Sequence, residues 1–186
     1  MTPAPRRADA AENRARIIEA ARAELTRDAD IRLNAVAQRA GVGQGTLYRH
    51  FPTRADLLAE VYRADVDDLV ATAGTLLERH DPGTALRAWF GRVAEYAQVK
   101  RGVFAALEVA TWQDLSARSH GPIGDAITRL LDAGKADGTI RPDVDARDVV
   151  ILIGYLSRLD AAEFDARARH LLEIVLDGLR RRPDPA

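Results

Sequence analysis

Between residues 41 and 54 the sequence sets hydrogen-bonding side chains at the spacing of one short helix. They are Gln44, Thr46, Tyr48, Arg49 and His50, followed by Arg54 just beyond Phe51-Pro52. Gln and Arg can each bond bidentately to a base edge in the DNA major groove. The Thr and Tyr hydroxyls and the His ring suit phosphate oxygens. Residues 31–55 also hold Arg32 and Arg39 and contain no Asp or Glu. On a chain of formal net charge -1 this makes a locally basic face, an arrangement that docks on phosphates without binding every anion. Gln44, Thr46 or Arg49 alone reads as solvated surface, Tyr48 alone as a half-buried helix residue, and Arg54 alone equally as a phosphate clamp or a solvated cap residue. Their joint spacing, after a glycine turn and before Phe-Pro, points to nucleic acid.

Other chemistry has less to stand on. The chain has no cysteine, which excludes disulfides, zinc-cysteine sites, iron-sulfur clusters and thiol catalysis. There is no Gly-rich phosphate loop, no HExxH and no Gly-x-Ser-x-Gly elbow. The histidines, His50, His80, His120 and His170, stand far apart in sequence, and His80 beside Asp81 reads as a helix-end histidine favoured by the dipole. No catalytic residue, metal site or cofactor is implied. Two rival classes stay open: an all-helical enzyme with a convergent buried set of acids or histidines, and an adaptor whose 44–54 surface binds another protein. The polar N-terminus lacks the apolar stretch of a secretory signal. No window approaches the roughly 18 apolar residues of a membrane span. The expectation is a cytoplasmic protein without membrane contact.

The elements that would position these residues are helical throughout. Residues 1–8, with two prolines and Arg6-Arg7, read as a loose arm, with a minor-groove role as the alternative. Ile17, Ile18, Ala21 and Leu25 predict an amphipathic helix over 10–26. A polar break at 27–30 precedes a short helix over 33–40. Gly41-Val42-Gly43 ends it, and a second short helix runs from Gln44 to Phe51, stopped by Pro52. These two helices form a helix-turn-helix in which Ala37 and Val42 pack the pair, Leu47 and Phe51 face inward, and Gln44, Thr46, Tyr48 and Arg49 project outward. A long helix follows over 54–80. Asp81-Pro82 opens the next as cap and first residue, ending at Gly102. Further helices are expected over 103–112, from 119–122 to Gly138, from Asp145 to Leu156, and over 161–181, with a frayed tail at 180–183. The fold class is therefore all-α, with about nine helices and no convincing strand.

The segment GVGQGTLYRHFPTRADLL resembles the signature of the tetracycline-repressor (TetR) family. With Arg14, Ile17, Ala20, Ala21 and Val36-Ala37 upstream, the resemblance covers about residues 12–62. It implies an N-terminal three-helix DNA-binding domain over 1–56 and a helical ligand-binding and dimerisation domain over 57–186, joined inside the long helix. It also implies that Gln44 and Gly45 approach bases, that Thr46, Tyr48 and His50 contact the backbone, with Tyr48 also within reach of bases, and that Arg49 points at DNA. Arg54 would clamp a phosphate, and Asn34 would touch DNA from the preceding helix. The sequence departs from the family pattern at Gly43, where Ser or Thr is usual, and at Arg32, Asp30 and Leu25. The implied function is a repressor that binds double-stranded DNA at a palindromic operator as a homodimer and responds to a small-molecule effector.

In the second part, Trp89, Tyr96, Phe104 and Trp112 are the candidate lining of an effector pocket, with plain core packing as the alternative. The last two helices are the candidate dimer face, through Val149, Ile153, Leu156, Leu171, Leu172, Val175 and Leu179. Two such helices from each subunit would form a four-helix bundle with two-fold symmetry.

Overall fold

Local sequence rules account for most helix boundaries in the computed structural model, which describes residues 5–27, 31–160 and 162–181. Eight α-helices are present among them: α1 Pro5–Leu25, α2 Leu33–Arg39, α3 Gln44–His50, α4 Arg54–Arg79, α5 Pro82–Ala106, α6 Val109–Ala136, α7 Ala146–Gly154 and α8 Phe164–Leu179. A 3-10 turn over Tyr155–Arg158 follows α7. The one β-contact among the described residues is an isolated antiparallel bridge between Ile140 and Arg180. The arm expected at 1–8 lies outside the described residues for 1–4, and the backbone is already helical from Pro5. Part of the 27–30 break and the end of the expected frayed tail likewise fall outside them.

Side-chain caps explain three of the starts. Asp81 accepts from the Thr84 backbone N–H at 2.9 Å, and Pro82 opens α5 where its missing N–H is of no consequence. Asp145 and Asp148 form a reciprocal capping box on α7, each carboxylate accepting the other's backbone N–H at 3.0 Å. On α4 the Thr53 hydroxyl accepts from the Asp56 backbone N–H and the Asp56 carboxylate from that of Thr53, at 3.1 Å in both directions.

The helix count differs from expectation around residues 102–122. α5 runs through Gly102 to Ala106, and α6 continues through Gly121-Pro122. Gly102 is not a terminator: it is buried, and a Cβ there would stand 2.9 Å from Leu25 Cδ2, so glycine is present for close helix approach. Pro122 removes one backbone donor inside α6 at a cost of about 3 kcal/mol. The buried stripe Ile123, Ala126, Ile127, Leu130 and Leu131 continues beyond it and holds the helix.

The chain divides into two compact units, Met1–Ala64 with Gln98–Leu115, and Asp65–Ala97 with Ser116–Ala186. In the first, Ile17, Ala21, Val36, Leu47, Phe51, Leu57, Leu58 and Tyr62 are buried. The Tyr62 ring meets Trp112 edge-on at 5.2 Å, which ties the start of α6 to α4. In the second, Trp89 and Phe90 are fully buried, and the Trp89 indole N–H donates to the Leu69 carbonyl at 2.9 Å. No helix among the described residues is long and apolar enough to cross a membrane.

Candidate DNA interface

α2 ends in a left-handed backbone position that favours glycine. Gly41 has φ 65°, and its N–H donates to Gln38 O at 3.1 Å while Val42 N–H donates to Ala37 O at 3.0 Å. This is the paired pattern of a Schellman stop, which turns the chain sharply into α3. Gly43 then caps α3 without a side chain.

The turn gives α3 two opposite faces. Leu47 and Phe51 are buried, whereas Gln44, Gly45, Tyr48 and Arg49 are exposed. Positions 45, 48 and 49 lie on the side of a 3.6-residue helix turned away from Leu47, Gln44 stands at the first position of α3, and Phe51 is the extended cap residue beyond its end. Tyr48 leaves 46% of its surface in solvent, high for so large a side chain. Gly45 is bare, with no atom within 4 Å of where a Cβ would stand. Thr46 and His50 are half-buried flanks rather than fully outward, because they sit at the edges of the inward face. The His50 ring lies tilted against Phe51 at 6.4 Å. Asn34 is exposed at the second position of α2, and Arg54 is half-buried at the first position of α4.

The inward face is locked by charge as well as by packing. The Arg14 guanidinium lies 5.2 Å from the Phe51 ring centroid and pairs with Glu60 at 2.8 Å. Hydrogen bonding from Arg14 holds the Glu60 carboxyl below its ordinary range, helped by the charges of Arg14 and Arg63 and opposed by burial. Arg39 pairs with Glu24 at 3.1 Å, tying α2 to α1. Arg14 and Glu60 therefore brace the end of α3 without being on its exposed face, and Glu24 braces α2. Sequence reasoning does not assign these roles, since the pairs join residues far apart in the chain.

The remaining expected sites divide. Trp89 and Tyr96 are buried in the second unit. Phe104 and Trp112 belong to the first, where their rings meet edge-on at 5.4 Å and the Lys100 ammonium lies 5.7 Å from the Trp112 centroid. The structure thus brings Phe104 and Trp112 together as a pair. Burial pushes the Lys100 amine down from its usual range.

The seven expected dimer-face residues differ in how far the chain itself covers them. Val149, Leu156, Leu172 and Leu179 are buried within the chain. Ile153, Leu171 and Val175 are half-buried. The exposed apolar side chains of α7, its 3-10 turn and α8 are Ile151, Leu152, Tyr155 and Ile174, between 51% and 65% accessible. For Ile151 and Leu152 the signal is the unbroken apolar run from Val149 to Ile153, longer than a single buried stripe requires.

Comparison with known proteins bears on the same arrangement. Residues 17–61 match the family described as bacterial regulatory proteins, tetR family. Residues 81–181 match the C-terminal domain of SbtR-like transcriptional regulators. A TetR transcriptional regulator of known structure from Streptomyces coelicolor is 36% identical, with 91% of this chain and 99% of that one covered at a TM-score of 0.80. A TetR transcription regulatory protein from Mycobacterium vanbaalenii is 31% identical, with 95% and 100% covered at a TM-score of 0.77. An HTH-type transcriptional regulator of Staphylococcus aureus is 43% identical over 63 residues, a match that spans 33% of this chain and about a third (34%) of that relative.

Proposed function

The chain belongs to the TetR family of bacterial transcriptional regulators, and from that premise we propose that it represses transcription as a homodimer on a palindromic operator, releasing DNA when a small effector binds. The observation that carries the DNA-reading part is the division of α3, with Leu47 and Phe51 buried and Gln44, Gly45, Tyr48 and Arg49 exposed. Gln44 and Arg49 read base edges, and the bare Gly45 lets the backbone of α3 come close to them. Tyr48, Thr46 and His50 hold the phosphate backbone on either side, with Arg54 and Asn34 as outer contacts.

Support for the homodimer comes from Ile151, Leu152, Tyr155 and Ile174, an apolar set of a kind that soluble chains rarely leave open. With Leu171, Val175 and Ile153 at its margin, this set forms the two-fold face. A two-fold dimer sets its recognition helices about 34–36 Å apart, or a multiple of that, which suits an inverted repeat. Effector response is supported by family membership and by the Phe104–Trp112 pair beneath the Lys100 ammonium.

The test is a binding titration of three variants against preferred and scrambled duplexes. Tyr48→Ala and Arg54→Ala weaken binding to all sequences alike, whereas Gln44→Ala loses discrimination at particular base pairs. Unchanged binding in all three removes α3 as the reading surface.

A further inference from the structure

A cleft of about 340 Å³ opens in the second unit where three separated segments meet: the start of α5, the connection after α6, and the end of α8. Its frame is held by the backbone. Gly138, at φ 80°, turns the chain after α6. Arg141 N–H then donates to Leu179 O at 3.0 Å, and Arg181 N–H to Thr139 O at 2.9 Å, around the Ile140–Arg180 bridge. Gly134 makes room for Ile140, since a Cβ there would overlap the isoleucine side chain.

The lining has two chemistries. Leu86, Ile140 and Leu176, all nearly buried, supply an apolar floor. Arg87, Arg180 and Arg181 supply a cationic rim. Asp81 is the single carboxylate in the lining, and it is engaged by the Thr84 backbone N–H at the start of α5. Arg87 is steadied by Glu173 at 2.5 Å and Arg180 by Asp177 at 3.4 Å, and neither acid lines the cleft. The Arg181 guanidinium reaches back over Gly138, with Nη1 3.8 Å from where a Cβ would stand.

A guanidinium recognises a carboxylate through parallel N–H bonds, and its fork is better matched to that group than an ammonium. An apolar floor under such a rim rewards an aliphatic body joined to the anion. The volume lies in the range that holds small organic ligands. We infer that this cleft binds an amphipathic organic anion, a carboxylate on a short aliphatic chain, with its head among Arg87, Arg180 and Arg181 and its chain on Leu86, Ile140 and Leu176.

Calorimetric titration of the full chain with octanoate, in the absence of DNA, tests this directly. Octanoate binds saturably at one site per chain, and 1-octanol, octylamine and inorganic phosphate each bind at least tenfold more weakly. Arg181→Gln weakens octanoate at least fivefold and Arg87→Gln/Arg181→Gln at least twentyfold, with unchanged circular dichroism spectra. Absence of saturable octanoate binding overturns the inference. So does binding that survives both variants, or phosphate binding as tight as octanoate. Because no DNA is present, failure here leaves the operator reading intact, and failure of that reading leaves this site intact.

Discussion

Replacing Gly45 with leucine separates what α3 does for the fold from what it does for DNA. Gly45 is the second residue of α3, exposed, with no atom within 4 Å of where a Cβ would stand. Its backbone is helical, so leucine meets no strain and gains helix propensity. A mid-helix Gly is worse than a good helix former by about 0.8–1.0 kcal/mol, and a first-turn position realises roughly half of that. Stability therefore rises by about 0.5 kcal/mol, or about 1–2 °C in Tm for a chain of this size. The effect on DNA has the opposite sign. The new side chain stands beside Tyr48 and Arg49 on the face proposed to meet bases, and it displaces α3 outward. Loss of one bidentate base contact costs about 1–3 kcal/mol, so affinity falls on the order of ten- to a hundredfold. Thermal melting by circular dichroism reads the first quantity and an anisotropy titration with a specific duplex the second. Gly91→Ala, at another open and exposed helical glycine on α5, serves as the control: it stabilises and leaves DNA affinity unchanged. Undiminished DNA affinity in Gly45→Leu would refute the assignment of this face.

Three further outcomes rest on the same geometry. Gly41→Ala forces a left-handed backbone on a residue with a Cβ, costs about 1–2 kcal/mol, and lowers the chemical-denaturation midpoint; an unchanged midpoint contradicts the Schellman stop. Leu152→Asp with Ile174→Asp leaves the fold intact and drops the light-scattering mass to the 20.3 kDa of one chain, whereas Leu172→Asp buries a charge and unfolds the chain. A persistent dimer in the double variant moves the interface elsewhere. The Glu60 carboxyl is held below its ordinary value of 4.5 by Arg14, so its contribution to stability is full above that pH and is lost as pH falls through the lower folded value. Melting curves of the wild type and Glu60→Gln should therefore differ most near neutral pH and converge on acidification; a gap independent of pH would contradict the pairing.

What is legible in the sequence is what local rules determine. The Asp81-Pro82 start, the Asp145 cap, the Gly41 turn and the inward Leu47 and Phe51 all follow from neighbours within a few residues, and each stands where its local chemistry requires. The positions that differ from expectation depend on distant partners. Gly102 looks like a helix end until Leu25, far upstream in the chain, is seen against it. Pro122 looks like a helix start, but the buried stripe following it outweighs the missing hydrogen bond. The apolar run Val149 to Ile153 does not disclose which side of α7 meets its own core, so the burial of Val149 beside the exposure of Ile151 and Leu152 is not legible locally. Arg14–Glu60, Arg39–Glu24 and the three-segment cleft have no local signature, because each is assembled only by the fold.

Selection of binding sites from random duplex DNA by the purified protein, followed by sequencing, addresses sequence-specific dimeric binding most directly. The expected result is enrichment of one inverted repeat whose half-sites lie about one helical turn, or a simple multiple of it, apart. Folded protein that enriches no sequence at low salt would contradict it.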